Sequence, residues 1–198
     1  MKSFLLLFAV LTMFSTNAQK SEEEILTERA EKEAHIRDTT HGILRPIELE
    51  EFGGLNYFDF DSTFQVEGVF TKDKGKVFKM PTSTTREPKY RRYGYFDFKL
   101  NGKEYKLEVY QNMALKKEKE FRDHLFIPFR DKTSTIETYG GGRYIDAHIP
   151  KGKSLLIDFN EAYNPYCAYS HRFSCPIPPE ANTLKVAIKA GEKTPVGH

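Results

Sequence analysis

The stretch Tyr93–Tyr110, YGYFDFKLNGKEYKLEVY, indicates the fold more strongly than any other part of the sequence. Its central pair, Asn101-Gly102, tolerates the positive φ angles of a two-residue type I′ turn, so the flanking residues are predicted to form a β-hairpin. Placing Leu100 opposite Lys103 then fixes the register of the two strands.

This register separates the facing residues into one apolar side and one charged side. The facing pairs are Phe98 with Tyr105, Phe96 with Leu107, Asp97 with Lys106, and Lys99 with Glu104. A slip of one residue would move every side chain to the other side, so the pattern itself supports the register.

Further short segments of alternating or apolar residues follow the hairpin, separated by turn-forming residues. They predict strands at Thr135–Tyr139, Arg143–Ile149, Ser154–Phe159 and Leu184–Ala190. Many short strands joined by turns are typical of all-β folds. We therefore expect a mainly β protein, an antiparallel sandwich or barrel, with one helix ahead of it.

That helix is predicted to begin after Ser21, which forms a capping box with Glu24. Its apolar stripe is thin and consists of Ile25, Leu26, Ala30 and Ala34. A thin stripe is typical of a helix on the surface of a fold, with its charged face in solvent.

The first residues, MKSFLLLFAVLTMFSTNAQK, have the layout of a secretory signal peptide: Lys2, an apolar run from Phe4 to Phe14, and the small residue Ala18. The run is shorter than the roughly 20 residues that span a bilayer, so cleavage after Ala18 is favoured over an uncleaved anchor. We expect an exported protein, periplasmic or secreted, that does not insert in the membrane after cleavage.

The expected organisation is a signal peptide at residues 1–18, a helix and linker at 19–50, one β-rich domain at 51–193, and a tail at 194–198. The sequence has 30 Lys and Arg against 28 Asp and Glu, a formal net charge of +2. Such a balance argues against nucleic-acid binding through a large positive field. No motif indicates a cofactor.

The glycines of ETYGGGRYID, residues 137–146, are predicted to form a turn. A phosphate-binding loop would need a Lys-Ser/Thr ending and a following helix, and the residues after the glycines indicate a strand. Glycines also allow a ligand to approach the backbone, so a site is expected beside them, at Glu137, Tyr139, Arg143 and Asp146.

The segment after Ile157 is rich in aromatic and amide side chains and contains both cysteines. Its candidate site residues are Asp158, Asn160, Tyr163, Asn164 and Tyr166. In an exported chain the two cysteines, Cys167 and Cys175, are predicted to form a disulfide. Two alternatives involve His171: a zinc site with both cysteines, or a base that activates Cys167 as a nucleophile.

Three functional hypotheses follow. The first is a binding module for a small polar or anionic ligand (a carboxylate, phosphate or sugar), with Arg143 as anchor and Tyr139, Asn160, Tyr163, Asn164 and Tyr166 as further contacts. The second is a hydrolase or lyase without a cofactor, using Glu137, Asp146 and Asp158 as acid and base, with His148 in reach of Asp146. The third is a structural or interaction protein of the cell envelope, which predicts no concave site near Arg143 and Tyr163.

Several motifs together resemble a family of proteins of unknown function, the bacterial family numbered 1684. They are ETYGGGRYID, IDFNEAYNPYCAYS, CPIPPEAN and AGEK, in this order between residues 137 and 193. MPTSTTREPKYRRYG and LNGKEYKLEVYQN resemble the version in exported proteins of Bacteroidetes-type bacteria. The resemblance extends from about Glu51 to Lys193 and implies that these motifs belong to one domain; it implies no activity.

Overall fold

The computed structural model describes residues 19–196, so the predicted signal peptide lies outside the described residues. Their helices and strands are α1 Glu22–Arg37, α2 Pro46–Glu51, β1 Gln65–Lys72, β2 Val77–Lys79, β3 Lys89–Leu100, β4 Lys103–Asn112, β5 His124–Phe129, β6 Arg143–His148 and β7 Ser154–Asp158. Short 3-10 helices occupy several connections, at Thr39–His41, Ser62–Phe64, Leu115–Lys117, Phe159–Glu161, Tyr166–Ala168 and Glu180–Asn182.

The predicted hairpin is formed by β3 and β4, and its register is confirmed. Leu100 faces Lys103, and the predicted pairs continue from there to Phe96 opposite Leu107. Asn101 and Gly102 have φ angles of 50° and 73°, as a type I′ turn requires.

The two faces of the hairpin also have the predicted environments. Phe96 and Leu107 are fully buried in the core. On the opposite face, the side chains of Asp97 and Lys106 are exposed and form an ion pair of 3.0 Å. The local pattern therefore specifies both the pairing and the direction of the side chains.

All strands pair antiparallel in one sheet of order β6-β5-β4-β3-β1-β7, with β2 added to β3. The sheet curves into a half-barrel. The mainly β, antiparallel architecture with an N-terminal helix is thus confirmed. The core includes fully buried side chains from several strands: Leu125, Ile127, Phe129, Ile145 and Ile157.

The chain after β7 crosses from one end of the sheet to the other. Tyr163 exchanges two backbone hydrogen bonds with Tyr144 of β6, at 2.8 and 3.0 Å. This bridge brings residues 159–166 next to β6, and thereby assembles the candidate site described below.

Helix α1 begins with the predicted capping box between Ser21 and Glu24. The predicted apolar stripe is wrong, because Leu26, Ala30 and Ala34 are exposed. The side of α1 that faces the fold instead carries four residues at helical spacing: Ile25, Arg29, Lys32 and Ile36. Ile25 and Ile36 are buried at its two ends, and the two basic residues lie between them.

The segment Leu184–Ala190 is not a strand, although Leu184, Ile188 and Ala190 are buried as the alternation predicts. Its backbone makes only two hydrogen bonds with the backbone of residues 130–132, from the Leu184 amide to the Arg130 carbonyl at 2.8 Å and from the Lys132 amide to the Val186 carbonyl at 3.0 Å, and side chains supply further ones. Arg143 donates to the carbonyl oxygens of Ile188 and Glu192, at 2.8 and 3.1 Å, and to that of Ala190. The alternating pattern therefore predicts correctly which side chains are buried, but its prediction that the backbone pairs as a strand is wrong.

Thr135–Tyr139 is not a strand either, because its backbone turns back on itself. The amides of Ile136, Glu137 and Thr138 all donate to the carbonyl oxygen of Thr133, at 2.8–3.0 Å. The glycine run that follows forms the predicted turn, in which the Gly142 amide donates to the Tyr139 carbonyl at 3.0 Å.

Between residues 19 and 196, neither helix has the length and apolar character that crossing a bilayer requires.

Candidate functional site

A cavity of about 440 Å³ lies where α1 covers the bridge between β6 and residues 159–166. Its charged lining residues are Glu28, Arg29, Lys32, Asp146, Glu161 and Glu192, and its aromatic ones are Tyr57, Tyr163 and Tyr166. A concave site with a few polar groups among apolar surfaces is the usual form of a small-molecule site.

Glu192 is a fully buried carboxylate at the inner wall of this cavity. It accepts hydrogen bonds from the backbone N–H of Asn164 and the Tyr169 hydroxyl, both at 2.7 Å, and from the Tyr57 hydroxyl at 3.4 Å. Lys32 forms an ion pair with it. Because these donors come from different parts of the chain, the Glu192 carboxylate connects α1, the segment before β1 and the chain after β7.

The hydroxyls around Glu192 stay protonated and act as donors. Burial, together with the nearby negative charge of Glu192, raises the pKa of both Tyr57 and Tyr169 well above the usual value. Both therefore donate hydrogen bonds to the carboxylate.

Arg29 is held rigidly at the wall of the cavity. Its guanidinium donates to the carbonyl oxygens of Phe58 and Asn160, at 3.1 and 3.3 Å, and stacks on the Tyr57 ring at 4.4 Å from the centroid. Burial lowers the pKa of Arg29. Within residues 19–196 it makes no ion pair, and its hydrogen bonds go to neutral carbonyls, while the carboxylates of Asp158, Glu192 and Asp59 act on it from beyond ion-pair distance.

The remaining charged residues of the lining have direct partners of opposite charge or hydrogen-bond donors. Lys20 forms ion pairs with both Glu28 and Glu161. Asp146 accepts from the Tyr163 hydroxyl at 2.7 Å and contacts His124 Nε2 at 2.8 Å.

Tyr163 links the two halves of the site. Its hydroxyl binds Asp146, and the ammonium of Lys32 lies 4.4 Å from its ring centroid. Burial raises the pKa of Tyr163 well above its ordinary value, with a further contribution from Asp146. Tyr163 is thus a hydrogen-bond donor below a cation, in the wall of the cavity.

Arg143, the predicted ligand anchor, is not part of this site. It is 1% exposed and forms an ion pair of 2.7 Å with Asp131, which is also buried. Its other hydrogen bonds go to the backbone carbonyls of the segment at residues 188–192. The guanidinium binds groups of the protein itself and is not available to a ligand. The prediction that Arg143 anchors a ligand is therefore corrected.

The three candidate carboxylates do not form one catalytic group. Only Asp146 lines the cavity. Glu137 pairs with Lys189 at 3.0 Å, and buried Asp158 accepts from Gln65 and Asn160, both at 2.8 Å. His148, on β6 with Asp146, is exposed and contacts Asp123.

The predicted binding residues divide into two groups. Asn160, Tyr163 and Tyr166 line the cavity. Asn164 is buried behind it and bound to Glu192, while Tyr139 lies 4.0 Å from the Cys167 thiol, away from the lining residues.

Cys167 and Cys175 are neighbours but are free thiols in the structure. The Cys167 amide donates to Cys175 Sγ at 3.3 Å. Hydrogen bonding between the thiols lowers the pKa of Cys167 to about 7 and raises that of Cys175. The predicted disulfide therefore stays a prediction.

The two alternatives for the cysteines have no geometric support. His171 is exposed, whereas the neighbours of the Cys167 thiol are Cys175, Tyr139 and Ser83. In the part of the chain that the structure describes, no group of three or more His, Cys, Asp or Glu side chains is arranged to hold a metal ion.

Four residues of the site, Arg29, Lys32, Tyr57 and Glu192, are not among those predicted from the sequence. The signal for the first two was present in the spacing of Ile25, Arg29, Lys32 and Ile36, which places two bases on the buried side of α1. Tyr57 and Glu192 carry no comparable local signal, because they reach the site only through the tertiary fold.

Residues 50–193 match the model of a family described as protein of unknown function, DUF1684. The chain belongs to this family. The resemblance inferred from the motifs is thereby confirmed, and the structure explains why they occur together: the arginine of ETYGGGRYID binds the backbone of AGEK, whose Glu192 binds Asn164.

The DUF1684 chain is also similar to a solved structure, the solution NMR structure of an uncharacterized protein of Haloarcula marismortui. The two share 36% sequence identity with a TM-score of 0.68, and the alignment covers 89% of this chain and 96% of the other. No curated protein matches the chain.

Proposed function

We propose that this DUF1684 protein binds a small molecule carrying a carboxylate or a phosphate, in the cavity between α1 and residues 160–166. The observation that supports this is Arg29: a half-buried guanidinium, fixed by two carbonyls and a tyrosine ring, without an ion pair among the described residues. A guanidinium in such a position binds carboxylate or phosphate oxygens well, because its donors are already oriented.

Two further features favour binding over the other hypotheses. A cavity lies beside Tyr163, where an envelope protein without a ligand was expected to have none. The candidate carboxylates have separate partners, so we do not propose a mechanism with paired carboxylates. Tyr163, Tyr166 and Asn160 would orient the rest of the ligand.

The test compares two arginines of the same helix, Arg29 and Arg37. Arg29→Met keeps the aliphatic stem on Tyr57 and removes the charge. Arg37→Met is the matched control, because Arg37 already pairs with Glu33 and does not line the cavity. The ¹⁵N-labelled protein is titrated with acetate and with inorganic phosphate, and binding is followed by NMR.

We expect the Arg29 variant to bind at least one of the two anions roughly tenfold more weakly or worse, since hydrogen bonds to charged groups contribute about 1.5–3 kcal/mol. The Arg37 variant should bind like the unaltered protein. If neither anion shifts the resonances of cavity residues, or if both variants bind equally, the proposal is wrong.

We also propose that the protein is exported after cleavage at Ala18, and that Cys167 and Cys175 form a disulfide in that oxidising environment. The proximity of the thiols and the lowered pKa of Cys167 support the pairing, because the thiolate is the reactive form. The intact mass of protein purified from its own cell envelope or medium should lack residues 1–18 and show two thiols protected from alkylation. Retention of residues 1–18 would contradict export, and two alkylated thiols would contradict the disulfide.

A further inference from the structure

A second cavity, of about 310 Å³, adjoins the first, and Asp146, Tyr163 and Tyr166 line both. Its character is different. Whereas charged residues predominate around the first cavity, the second is enclosed mainly by aromatic and other apolar side chains. The hydrogen-bonded pair of Tyr163 and Asp146 thus lies between a charged compartment and an apolar one.

The rings of the second cavity form a continuous row that leads to the shared wall. The ring centroids of Tyr90 and Phe126 are 5.6 Å apart, those of Phe126 and Tyr144 4.7 Å, and those of Tyr144 and Tyr163 5.7 Å. The Tyr144 hydroxyl donates to the Pro176 carbonyl. Because that hydroxyl is used internally, Tyr144 offers a bound molecule its ring surface.

Two large apolar side chains at the edge of this cavity are exposed to solvent. Leu115 is 39% exposed and Phe121 is 38% exposed. An apolar surface that is left open beside an aromatic cavity is typical of a site that accepts an apolar group.

We propose that one ligand occupies both cavities, and that it is an amphiphilic organic anion. Its carboxylate or phosphate lies at Arg29, and its hydrocarbon or aromatic part lies among the rings of Phe121, Phe126 and Tyr144. This inference rests on the proposed function and adds the chemical class of the ligand. Asp146, whose side chain is 45% exposed, lies between the two parts and is kept in place by Tyr163 and His124.

The test uses linear carboxylates of increasing length, acetate, butanoate, hexanoate and octanoate, with the dissociation constants measured by the same NMR titration. Burial of apolar surface should tighten binding by roughly fourfold for each methylene group that enters the second cavity. Phe121→Asp should abolish this dependence on length. Leu115→Asp is the second variant, and Ile136→Asp, at a residue that is 78% exposed and lines neither cavity, is the control.

The outcomes separate the two proposals. If all four carboxylates bind equally well, or if the Phe121 and Leu115 variants keep the full dependence on length, the second cavity does not hold the ligand, although the anion site stands. If acetate and phosphate both fail to bind while octanoate binds, the anion site at Arg29 is wrong and the apolar cavity binds alone. Absence of binding by every probe overturns both.

Discussion

The hairpin Tyr93–Tyr110 and the segment Leu184–Glu192 both place apolar side chains in the same core, but their backbones are satisfied in different ways. In the hairpin, β3 and β4 follow each other in the sequence and pair with each other across a two-residue turn. In the segment at 184–192, three carbonyls accept from the side chain of Arg143, which is more than forty residues away. One region is specified by residues that are close in the sequence, whereas the other depends on distant partners, the Arg143 side chain and the backbone of residues 130–132.

The difference shows what a buried arginine can do in a β fold. A guanidinium carries several donors in a rigid plane, so it can satisfy several carbonyls of a segment that pairs with neighbouring backbone at only a few positions. The cost is that the charge must be compensated, and Asp131 does this inside the core. The stability of such a fold depends strongly on one buried ion pair.

The largest expected effect comes from breaking that ion pair. Arg143→Met should lower the free energy of unfolding by about 3–5 kcal/mol, because it leaves Asp131 as a buried, unpaired carboxylate and removes the donors to residues 188–192. The matched change on β3 is Arg92→Met, which removes partly exposed ion pairs with Asp73 and Glu108 and should cost about 1 kcal/mol or less.

Urea denaturation of both variants measures the two losses. If Arg143→Met proves too unstable to purify, the double variant Asp131→Asn, Arg143→Met removes the unpaired charge and should be the more stable of the two. Equal losses for the Arg143 and Arg92 variants would show that the segment at 184–192 does not depend on its arginine.

Two glycines allow a second comparison of the two regions, with smaller expected losses of stability, because their φ angles are nearly the same. Gly191, in the arginine-dependent segment, has φ +75°, and a Cβ there would lie 2.5 Å from the Ala162 carbonyl oxygen and 2.7 Å from that of Phe159. Gly191→Ala should cost about 2–4 kcal/mol, the sum of a left-handed backbone and an overfilled contact.

Gly102, in the hairpin turn, has φ +73° and open space around it. Gly102→Ala should therefore cost only about 1 kcal/mol, from the backbone conformation alone. The same denaturation measurements give both values. A Gly102 variant as unstable as the Gly191 variant would mean that the turn, rather than the crowded segment, limits the stability of the fold.

The hairpin, the helix cap and the glycine turn could be predicted because all the interacting residues are neighbours in the sequence. The burial of Leu184, Ile188 and Ala190 could also be predicted, since alternation reports which side chains face the core. The absence of a strand there could not, because alternation does not reveal that the hydrogen-bonding partner is Arg143.

The candidate site follows the same rule. Asp146, Asn160, Tyr163 and Tyr166 belong to dense motifs from which the sequence predicts candidate residues, and all four line the cavity. Arg143 was misassigned because an arginine beside a glycine turn has the same appearance whether it binds a ligand or the backbone of its own fold.

Helix α1 contributes Arg29 and Lys32 to the cavity, yet it ends at Arg37, before the family match begins at residue 50. The residues that match the family thus supply the aromatic side chains and three of the four carboxylates of the lining, and the preceding helix supplies both cations and the carboxylate of Glu28. Exchange of the residues before position 50 would therefore change the charge of the cavity wall and leave the sequence of the half-barrel as it is.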